Sequence, residues 1–174
     1  GETTVLRLTA ADGSIDSFTI SGAEQLGFDT AQGSLRSGDR LYFVTFQDGF
    51  GTELWVSDGR EIGTFRLDGA AGSTSTSPAY LTVVGSTLYF RGWDPISGSY
   101  KLWQHTGVGS PSVVAGTQNF TSPQDLLAVN GDLLFTAAPQ GTPGDREVYR
   151  YDGVFTRLTD IASTSTNADA LRLV

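Results

Sequence analysis

The chain contains no cysteine, so disulfide bonds do not hold it together and a reducing compartment is not excluded. Its single histidine, His105, has neither a second histidine nor a cysteine to join it. That excludes a transition-metal site of the usual nitrogen and sulfur ligands and gives no support to a catalytic triad. Long apolar runs are also missing, so we expect any export signal to lie outside this chain and no segment of it to insert into a membrane.

Positive charge is scarce, because 11 Lys and Arg stand against 19 Asp and Glu, for a formal net charge of −8. Nucleic acids and anionic membranes are held chiefly by lysine and arginine, so neither is expected as a partner. Glycine is plentiful, with 22 residues, and only 17% of the chain is charged. This composition is typical of secreted bacterial β-proteins.

A repeat of about 45 to 48 residues organises the chain, and repeats of this length are typical of propellers and solenoids. Three anchors recur in one order: a Leu-aromatic-Phe run, a Leu-Trp pair and a Leu-rich strand. Their copies are Leu41–Phe43, Leu88–Phe90 and Leu133–Phe135; Leu54-Trp55, Leu102-Trp103 and Val148-Tyr149; and Leu81–Val84, Leu127–Asn130 and Leu171–Val174, with Leu35 as an earlier copy of the third.

Each repeat predicts four short strands, because brief runs of β-branched and aromatic residues alternate with Gly, Asp, Asn, Ser and Pro. In one repeat the strands are Tyr80–Val84, Thr87–Gly92, Tyr100–Gln104 and Ser112–Ala115. Two-residue turns suited to hairpins join the first pair of strands, at Gly38-Asp39, Gly85-Ser86 and Asn130-Gly131. Asp-Gly pairs follow the third strand, at Asp12-Gly13, Asp58-Gly59 and Asp152-Gly153. Four antiparallel strands at this period predict an all-β fold, the β-propeller, with one blade per repeat.

One copy, Glu53–Thr64, resembles the ELWxxDGT repeat of large bacterial surface and secreted proteins. Seven of its residues match that pattern, and Arg60 departs where the family has threonine; the matching residues are Glu53, Leu54, Trp55, Asp58, Gly59, Gly63 and Thr64. The resemblance implies propeller-like repeat arrays and an extracytoplasmic location, whether secreted, periplasmic or on the cell surface. It implies no catalytic residue.

The repeat predicts one β-propeller domain over residues 1–174, whose first and last blades are incomplete. Its parts are the last two strands of a blade with a connecting loop (1–34), three blades (35–79, 80–125 and 126–168) and the first strand of a closing blade (169–174). Either both termini close a four-bladed ring, which removes sheet edges, or the chain is a segment of a larger propeller. We favour the segment, because the closing blade lacks a second strand and the chain has no Met.

The candidate binding residues are those where the copies differ, namely Trp93, Asp94 and His105. Trp93 ends a strand before Asp94-Pro95 and has no aromatic counterpart at the aligned place in the other repeats, which makes it the best candidate for a stacking contact, although packing is favoured. His105 falls in a turn and is expected at the surface. Two further sets recur at fixed positions: Trp55, Trp103 and Tyr149, expected to pack in the core, and Glu53, Lys101 and Glu147, expected at solvated strand edges or in cross-strand charge pairs.

No cofactor is expected, and calcium is the one metal with candidate ligands. Asp48, Asp94 and Asp145 occupy equivalent loops between the second and third strands, and hard cations take oxygen ligands. None of these loops has the dense acidic pattern of an established calcium loop.

The sequence favours a non-enzymatic scaffold or protein-interaction module in a bacterial secreted or envelope-associated assembly. The alternative is a carbohydrate-binding adhesin module, possibly calcium-assisted, that binds surface glycans through Trp93 and the Ser/Thr-rich loops between blades. A glycan-active hydrolase or lyase comes third, since no spacing selects a pair of carboxylates.

Overall fold

A computed structural model describes the backbone of residues 3–9, 15–21, 23–26, 34–47, 51–67, 75–142 and 144–160, and the side chains of 34–46, 51–67, 75–142 and 144–160. Fifteen β-strands and one short 3-10 turn, Thr117–Asn119, make up the regular structure of these residues, which confirms the all-β class. The strands are β1 Thr3–Thr9, β2 Ile15–Ser21, β3 Ala23–Leu26, β4 Ser34–Ser37, β5 Arg40–Gln47, β6 Gly51–Ser57, β7 Phe65–Arg66, β8 Ala79–Val84, β9 Thr87–Asp94, β10 Ser99–His105, β11 Ser112–Val113, β12 Phe120–Val129, β13 Asp132–Pro139, β14 Glu147–Tyr151 and β15 Phe155–Arg157.

The chain divides into two compact units, Gly1–Ala79 and Tyr80–Val174. In the first unit, β1 and β2 form an antiparallel hairpin in continuous register, as predicted for the two strands of this region. The predicted turn Asp12-Gly13 and the predicted strand Leu171–Val174 lie outside the described residues.

Sheet I, also in the first unit, has the order β3-β5-β6-β7. A further strand, β4, also pairs with β5, beside β3. Its centre is the antiparallel pair β5–β6, in which Phe43 lies opposite Trp55. Both rings are buried and stack at a centroid distance of 6.2 Å. The strand alternation therefore places one aromatic layer on one face of the sheet.

Sheets II and III form the second unit, and each is a four-stranded antiparallel sheet of sequential neighbours. Sheet II has the order β8-β9-β10-β11, and sheet III the order β12-β13-β14-β15. The four strands predicted over residues 80–115 are present; β9 and β10 are longer than predicted by one or two residues at their ends, and β11 stops at Val113, two residues short of the predicted end. Each sheet is thus one sequence repeat.

The two-residue turns predicted between first and second strands are also confirmed. Gly38 and Gly85 adopt φ of 58° and 61°, and Asn130 and Gly131 adopt 52° and 88°. These are left-handed conformations, which Gly and Asn adopt at low cost, so the turn residues agree with the backbone they must form.

The repeat alignment needs one correction, at the first strand of sheet III. Leu126 is buried, whereas Leu127, which the alignment matched to Leu81, is 39% exposed. The backbone explains this: the left-handed residues Ser77 and Tyr80 recur 45 residues later as Ser122 and Asp125. The true counterpart of Leu81 is therefore Leu126, and a Ser-Pro-x-x-Leu pattern, missed in the sequence, sets the register of this strand.

An apolar core joins sheets II and III. Phe120, at the start of β12, contacts Phe135, Tyr149 and Phe155 with ring centroids 5.0–5.2 Å apart. Leu102 of sheet II belongs to the same buried cluster. Leu102 lies on the face of sheet II opposite to Trp103, whereas the rings of sheet III lie on the face of Tyr149, the counterpart of Trp103, so sheets II and III bury unlike faces against each other.

In the part of the chain that the structure describes, no helix is long and apolar enough to cross a membrane.

Candidate functional site

The recurring aromatic position is structural, as predicted. Trp55, Trp103 and Tyr149 are 9%, 3% and 6% exposed. Each ring stacks on the phenylalanine opposite it in the second strand of its sheet, with centroids 6.2, 6.2 and 5.5 Å apart. Burial of such large rings dominates core energetics, so these residues are not available to a ligand.

The position that holds Glu53, Lys101 and Glu147 was expected at solvated strand edges or in cross-strand charge pairs, and the first of these expectations is wrong. Glu53, Lys101 and Glu147 are buried, at 5%, 7% and 0% exposure. Each is bonded to the segment that follows the fourth strand of its own sheet. Glu53 accepts bonds from the backbone N–H and hydroxyl of Thr76, at 3.3 and 2.9 Å, and Glu147 accepts one from the hydroxyl of Thr159.

Lys101 also bonds to the segment that follows its sheet, but as a hydrogen-bond donor. Its Nζ donates to the carbonyl oxygens of Thr117 and Phe120, at 3.2 and 3.3 Å. Burial lowers the pKa of Lys101 below its ordinary value, and the charge of Asp94 partly offsets that effect. The three side chains therefore hold the outgoing connection of each sheet, which periodicity alone did not reveal.

His105 was expected at the surface, and this is wrong, since its side chain is only 3% exposed. It ends β10, and its Nε2 lies 3.2 Å from the carbonyl oxygen of Gly109. That contact closes the turn that replaced Asp-Gly in this repeat. Because the ring is enclosed and bonded to the backbone, we remove His105 from the candidate ligand surface.

Asp94 is also buried, at 8% exposure, and its carboxylate organises the hairpin between β9 and β10. Its two oxygens accept the backbone N–H groups of Ile96 and Ser97, at 3.2 and 3.1 Å. Burial raises the pKa of Asp94, but the hydrogen bonds from Ser97 and Ile96 and the charge of Lys101 outweigh it and lower the pKa below its ordinary value. The residue is a turn cap.

Calcium gains no support from the other two candidates. Asp145 is partly buried before β14, and Asp48 lies outside the described residues. Within the ranges that the structure describes, no three His, Cys, Asp or Glu side chains come together as metal ligands. The carboxylate of Asp94 already accepts two backbone N–H groups, so its oxygens are poorly placed to bind a calcium ion.

Trp93 is partly exposed at the end of β9 and pairs directly with Tyr100 of β10. The two rings meet edge to face, with centroids 5.3 Å apart. This arrangement suits the charge distribution of aromatic rings and fixes the indole in place. It leaves part of the indole open on the face of sheet II.

Arg91 lies two residues before Trp93 and therefore on the same face of the sheet. Its guanidinium carbon lies 4.9 Å from the ring centre of Tyr80 and 4.6 Å from that of Tyr100. Cation–π contacts of this length hold the planar group in a fixed orientation. We call Tyr80, Arg91, Trp93 and Tyr100 the Arg91 surface; all four are partly exposed, and they lie on the face of sheet II that also carries Leu102 and packs against sheet III.

The sequence reasoning on Trp93 was wrong in one respect, because an aromatic counterpart exists. Phe46 pairs with Thr52 in sheet I as Trp93 pairs with Tyr100 in sheet II. Phe46 is 38% exposed, whereas Ala138, at the same place in sheet III, is 1% exposed. The step of 47 residues between Phe46 and Trp93, equal to that between the Leu-aromatic-Phe runs, was the signal that could have found it.

A second surface feature recurs in all three sheets and was not predicted. Ile62, Val108 and Val154 lie in the connections between third and fourth strands, at intervals of 46 residues. They are 93%, 83% and 70% exposed. Each sheet thus presents one exposed aliphatic side chain in the same connection, although Ile62 lies seven residues after Trp55 while Val108 and Val154 lie five residues after Trp103 and Tyr149.

No protein-family model matches the chain, and no curated protein matches it. Among solved structures, the crystal structure of TolB from Acinetobacter baumannii is similar, with 18% sequence identity and a TM-score of 0.49. The match covers 86% of this chain and 36% of that chain, so this chain spans well under half of its length. A likeness at this level assigns neither partner nor activity, and the resemblance to the ELWxxDGT repeat stays a prediction.

Proposed function

We propose that the chain is a non-enzymatic protein-interaction module whose repeats are blades of a β-propeller, working in an extracytoplasmic bacterial assembly. Support for the blades comes from sheets II and III, each a sequential four-stranded antiparallel repeat. The aromatic layer, the buried third-strand residue and the turn positions are the same in sheet I. A rigid scaffold of this kind presents its loops and hairpins for recognition.

The exposed aliphatic tips carry the interaction proposal. A single exposed apolar residue on a surface is ordinary and needs no explanation. Here each of the three connections between third and fourth strands holds one such residue, Ile62, Val108 or Val154, with 70–93% exposure. Apolar side chains presented repeatedly at hairpin tips suit the apolar centre of a protein interface.

Site-specific photo-crosslinking in cells that carry the protein tests this directly. A photoreactive residue placed at Val108 or Val154 is expected to form adducts with one defined protein partner. The matched control is the same probe at Gln140, which is exposed in the connection at the opposite end of sheet III. Adducts no more frequent at the tips than at Gln140 would contradict the proposal. Fractionation of the same cells tests the extracytoplasmic location.

The absence of catalysis is part of the proposal. The groups best suited to chemistry are committed to structure, since His105 binds a backbone carbonyl and Asp94 binds two backbone N–H groups. Glu53 and Glu147 are enclosed and hydrogen-bonded to threonines. These carboxylates are therefore poorly placed for acid–base work on a substrate.

Carbohydrate binding is a second candidate function, favoured by the Arg91 surface. Sugar sites combine an apolar platform with a few polar groups that fix orientation. The open part of the Trp93 indole, held against Tyr100, supplies such a platform. Loss of glycan binding on Trp93→Ala, with unchanged unfolding, is the expected result.

A further inference from the structure

We propose that the Arg91 surface binds a carboxylated sugar, whose carboxylate pairs with the Arg91 guanidinium while its ring lies against Trp93. The inference rests on the carbohydrate-binding candidate above and names its ligand class. It does not depend on the hairpin tips or on their protein partner.

The first observation is an arginine without a counter-charge. Among the described residues, no carboxylate lies within ion-pair distance of Arg91, and its Nε is buried without an acceptor. The guanidinium as a whole is partly exposed, but a buried N–H group without an acceptor is costly, so such groups are normally hydrogen-bonded. Here the two tyrosine rings orient the guanidinium while leaving its hydrogen-bonding capacity unused.

The other arginines of the second unit each have an ion pair or a hydrogen bond, although the Nε atoms of Arg146 and Arg150 are, like that of Arg91, buried without a hydrogen-bond acceptor. Arg146 donates to the carbonyls of Thr136 and Ser122, at 2.9 and 3.2 Å. Arg150 pairs with Asp132 and Asp152, and Arg157 pairs with Asp160. Arg146 occupies the repeat position of Tyr100, so the fold can satisfy an arginine on this face. That Arg91 is left unpaired therefore points to a ligand.

The chemistry of the guanidinium selects the anion. Its planar fork of N–H donors matches a carboxylate, and bidentate pairs of this kind are among the strongest charge-assisted hydrogen bonds. Asp94, the nearest acid in sequence, adjoins Trp93 in the strand and so faces the other side of the sheet. Its charge is further engaged by backbone donors and so does not occupy the site.

The position on the sheet favours a sugar over a peptide. Arg91 and Trp93 are on β9 and Tyr100 is on β10, and both strands are interior in the order β8-β9-β10-β11. A peptide therefore finds no free strand edge to extend. The site offers instead a partly exposed indole beside a guanidinium, and a sugar ring with an apolar face and a peripheral carboxylate fits this combination.

The test titrates the protein with a panel of uronate, sialylated and pyruvylated oligosaccharides, each beside its neutral, carboxyl-reduced or unsubstituted parent. Calorimetry gives the affinity, and tryptophan fluorescence reports the site because Trp55 and Trp103 are buried while Trp93 is partly exposed. At least one acidic member is expected to bind about tenfold or more tightly than its neutral parent.

Variants locate the effect. Arg91→Gln is expected to abolish the preference for the acidic form, Arg91→Lys to keep part of it because the charge stays but the fork is lost, and Trp93→Ala to weaken both forms. Arg157→Gln is the matched control, since it removes one exposed arginine from the same unit and should change nothing. Urea unfolding of each variant checks that it folds.

The outcomes separate this inference from the functions on which it builds. Equal binding of acidic and neutral forms, lost in Trp93→Ala, overturns the carboxylate inference and keeps carbohydrate binding. No binding by any panel member overturns both, as does binding that survives all three site variants. Capture of an acidic peptide in place of every sugar also overturns the inference. None of these results bears on the crosslinking test of the hairpin tips.

Discussion

The buried residue at the start of the third strand shows how one position tolerates opposite charges. Glu53 meets the hydroxyl and N–H of Thr76, whereas Lys101 meets the carbonyls of Thr117 and Phe120. Each ionisable group is matched to donors or acceptors of the connection that follows it. A buried polar group is acceptable only when its partners are supplied in this way.

Replacing Glu53 by alanine is therefore expected to destabilise the chain by about 2 kcal/mol, because it leaves the donors of Thr76 unpaired in a buried place. Glu53→Gln should cost less, since an amide oxygen still accepts one bond. The measurement is the free energy of unfolding in urea. Glu61→Ala is the control, an exposed acid of the same sheet that should shift stability by less than about 0.5 kcal/mol. Equal losses for the two alanine variants would contradict this role.

Asp94 gives a prediction in pH. Its pKa is held below the ordinary value of 3.8 in the folded state, so its ionised form stabilises the fold. That contribution is complete above 3.8 and is lost as pH falls through the folded pKa. Wild type should thus exceed Asp94→Asn in unfolding free energy at pH 6, with the gap closing as the pH falls below 3.8 and through the folded pKa. A gap that stays constant in urea titrations across this range would refute the assignment.

At the residue scale the sequence predicted roles that depend on local pattern and missed those that depend on distant partners. The burial of Trp55 and its counterparts follows from their recurrence. The burial of Glu53 depends on Thr76, 23 residues away, which no alternation pattern reveals. His105 was misplaced for a similar reason, because its turn folds back so that Gly109 covers the ring nitrogen.

At the element scale, the hairpin of the best-matching repeat explains why its residues recur together. Ser57 Oγ lies 2.6 Å from Thr64 Oγ1 and accepts the N–H of Gly59 at 3.1 Å. Asp58 accepts the N–H of Arg60 at 3.0 Å. Polar side chains thus bond the backbone of the connection between β6 and β7, as in other turns rich in Ser and Asp.

The two glycines of this hairpin are required for different reasons, which a double-mutant cycle separates. Gly59 has φ of 92°, so Gly59→Ala should cost about 1 kcal/mol in any background. A Cβ on Gly63 would instead collide with the Asp58 carboxylate. The cost of Gly63→Ala should therefore largely disappear when Asp58 is also alanine, giving a coupling energy of about 1 kcal/mol. Additive losses at Asp58 and Gly63 in urea unfolding would contradict the steric account.

The strands and tight turns were predictable because alternation and turn residues encode them locally. The start of β12 was not, since its register shifts between Thr121 and Leu127. Left-handed Ser122 and Asp125 create that irregularity, and the same conformations at Ser77 and Tyr80 make it a property of the repeat. The sequence signal for this irregularity was the repeated Ser-Pro pair. An analysis based on the alternation of apolar and polar residues does not detect such a pair.

At the scale of the whole molecule, repetition separates what builds the sheets from what distinguishes them. Most equivalent positions hold the same kind of residue in sheets I, II and III. The position one residue before the end of the second strand is an exception, because it holds a different residue in each sheet: Phe46, Trp93 and Ala138. Among the side chains that the structure describes, an unpaired arginine and a second partly exposed ring flank it in sheet II alone.

The net charge of −8 affects how the protein can recognise an acidic ligand. An acidic protein repels an acidic ligand at long range, so recognition of a carboxylated sugar must come from the contact with Arg91. Added salt should weaken both the long-range repulsion and the solvent-exposed part of the attraction between Arg91 and the ligand carboxylate. We therefore expect a shallow dependence of affinity on salt, and a steep loss of affinity with increasing salt in calorimetric titrations would indicate diffuse charge attraction instead.

The most direct test of the account compares two equivalent aromatic residues. The affinity for the best carboxylated oligosaccharide is measured by calorimetry for wild type, Phe46→Ala and Trp93→Ala. The account predicts that Trp93→Ala weakens binding about tenfold or more, while Phe46→Ala leaves the affinity unchanged. An equal loss in both variants, or no loss in Trp93→Ala, would contradict the claim that recognition lies where the repeats differ.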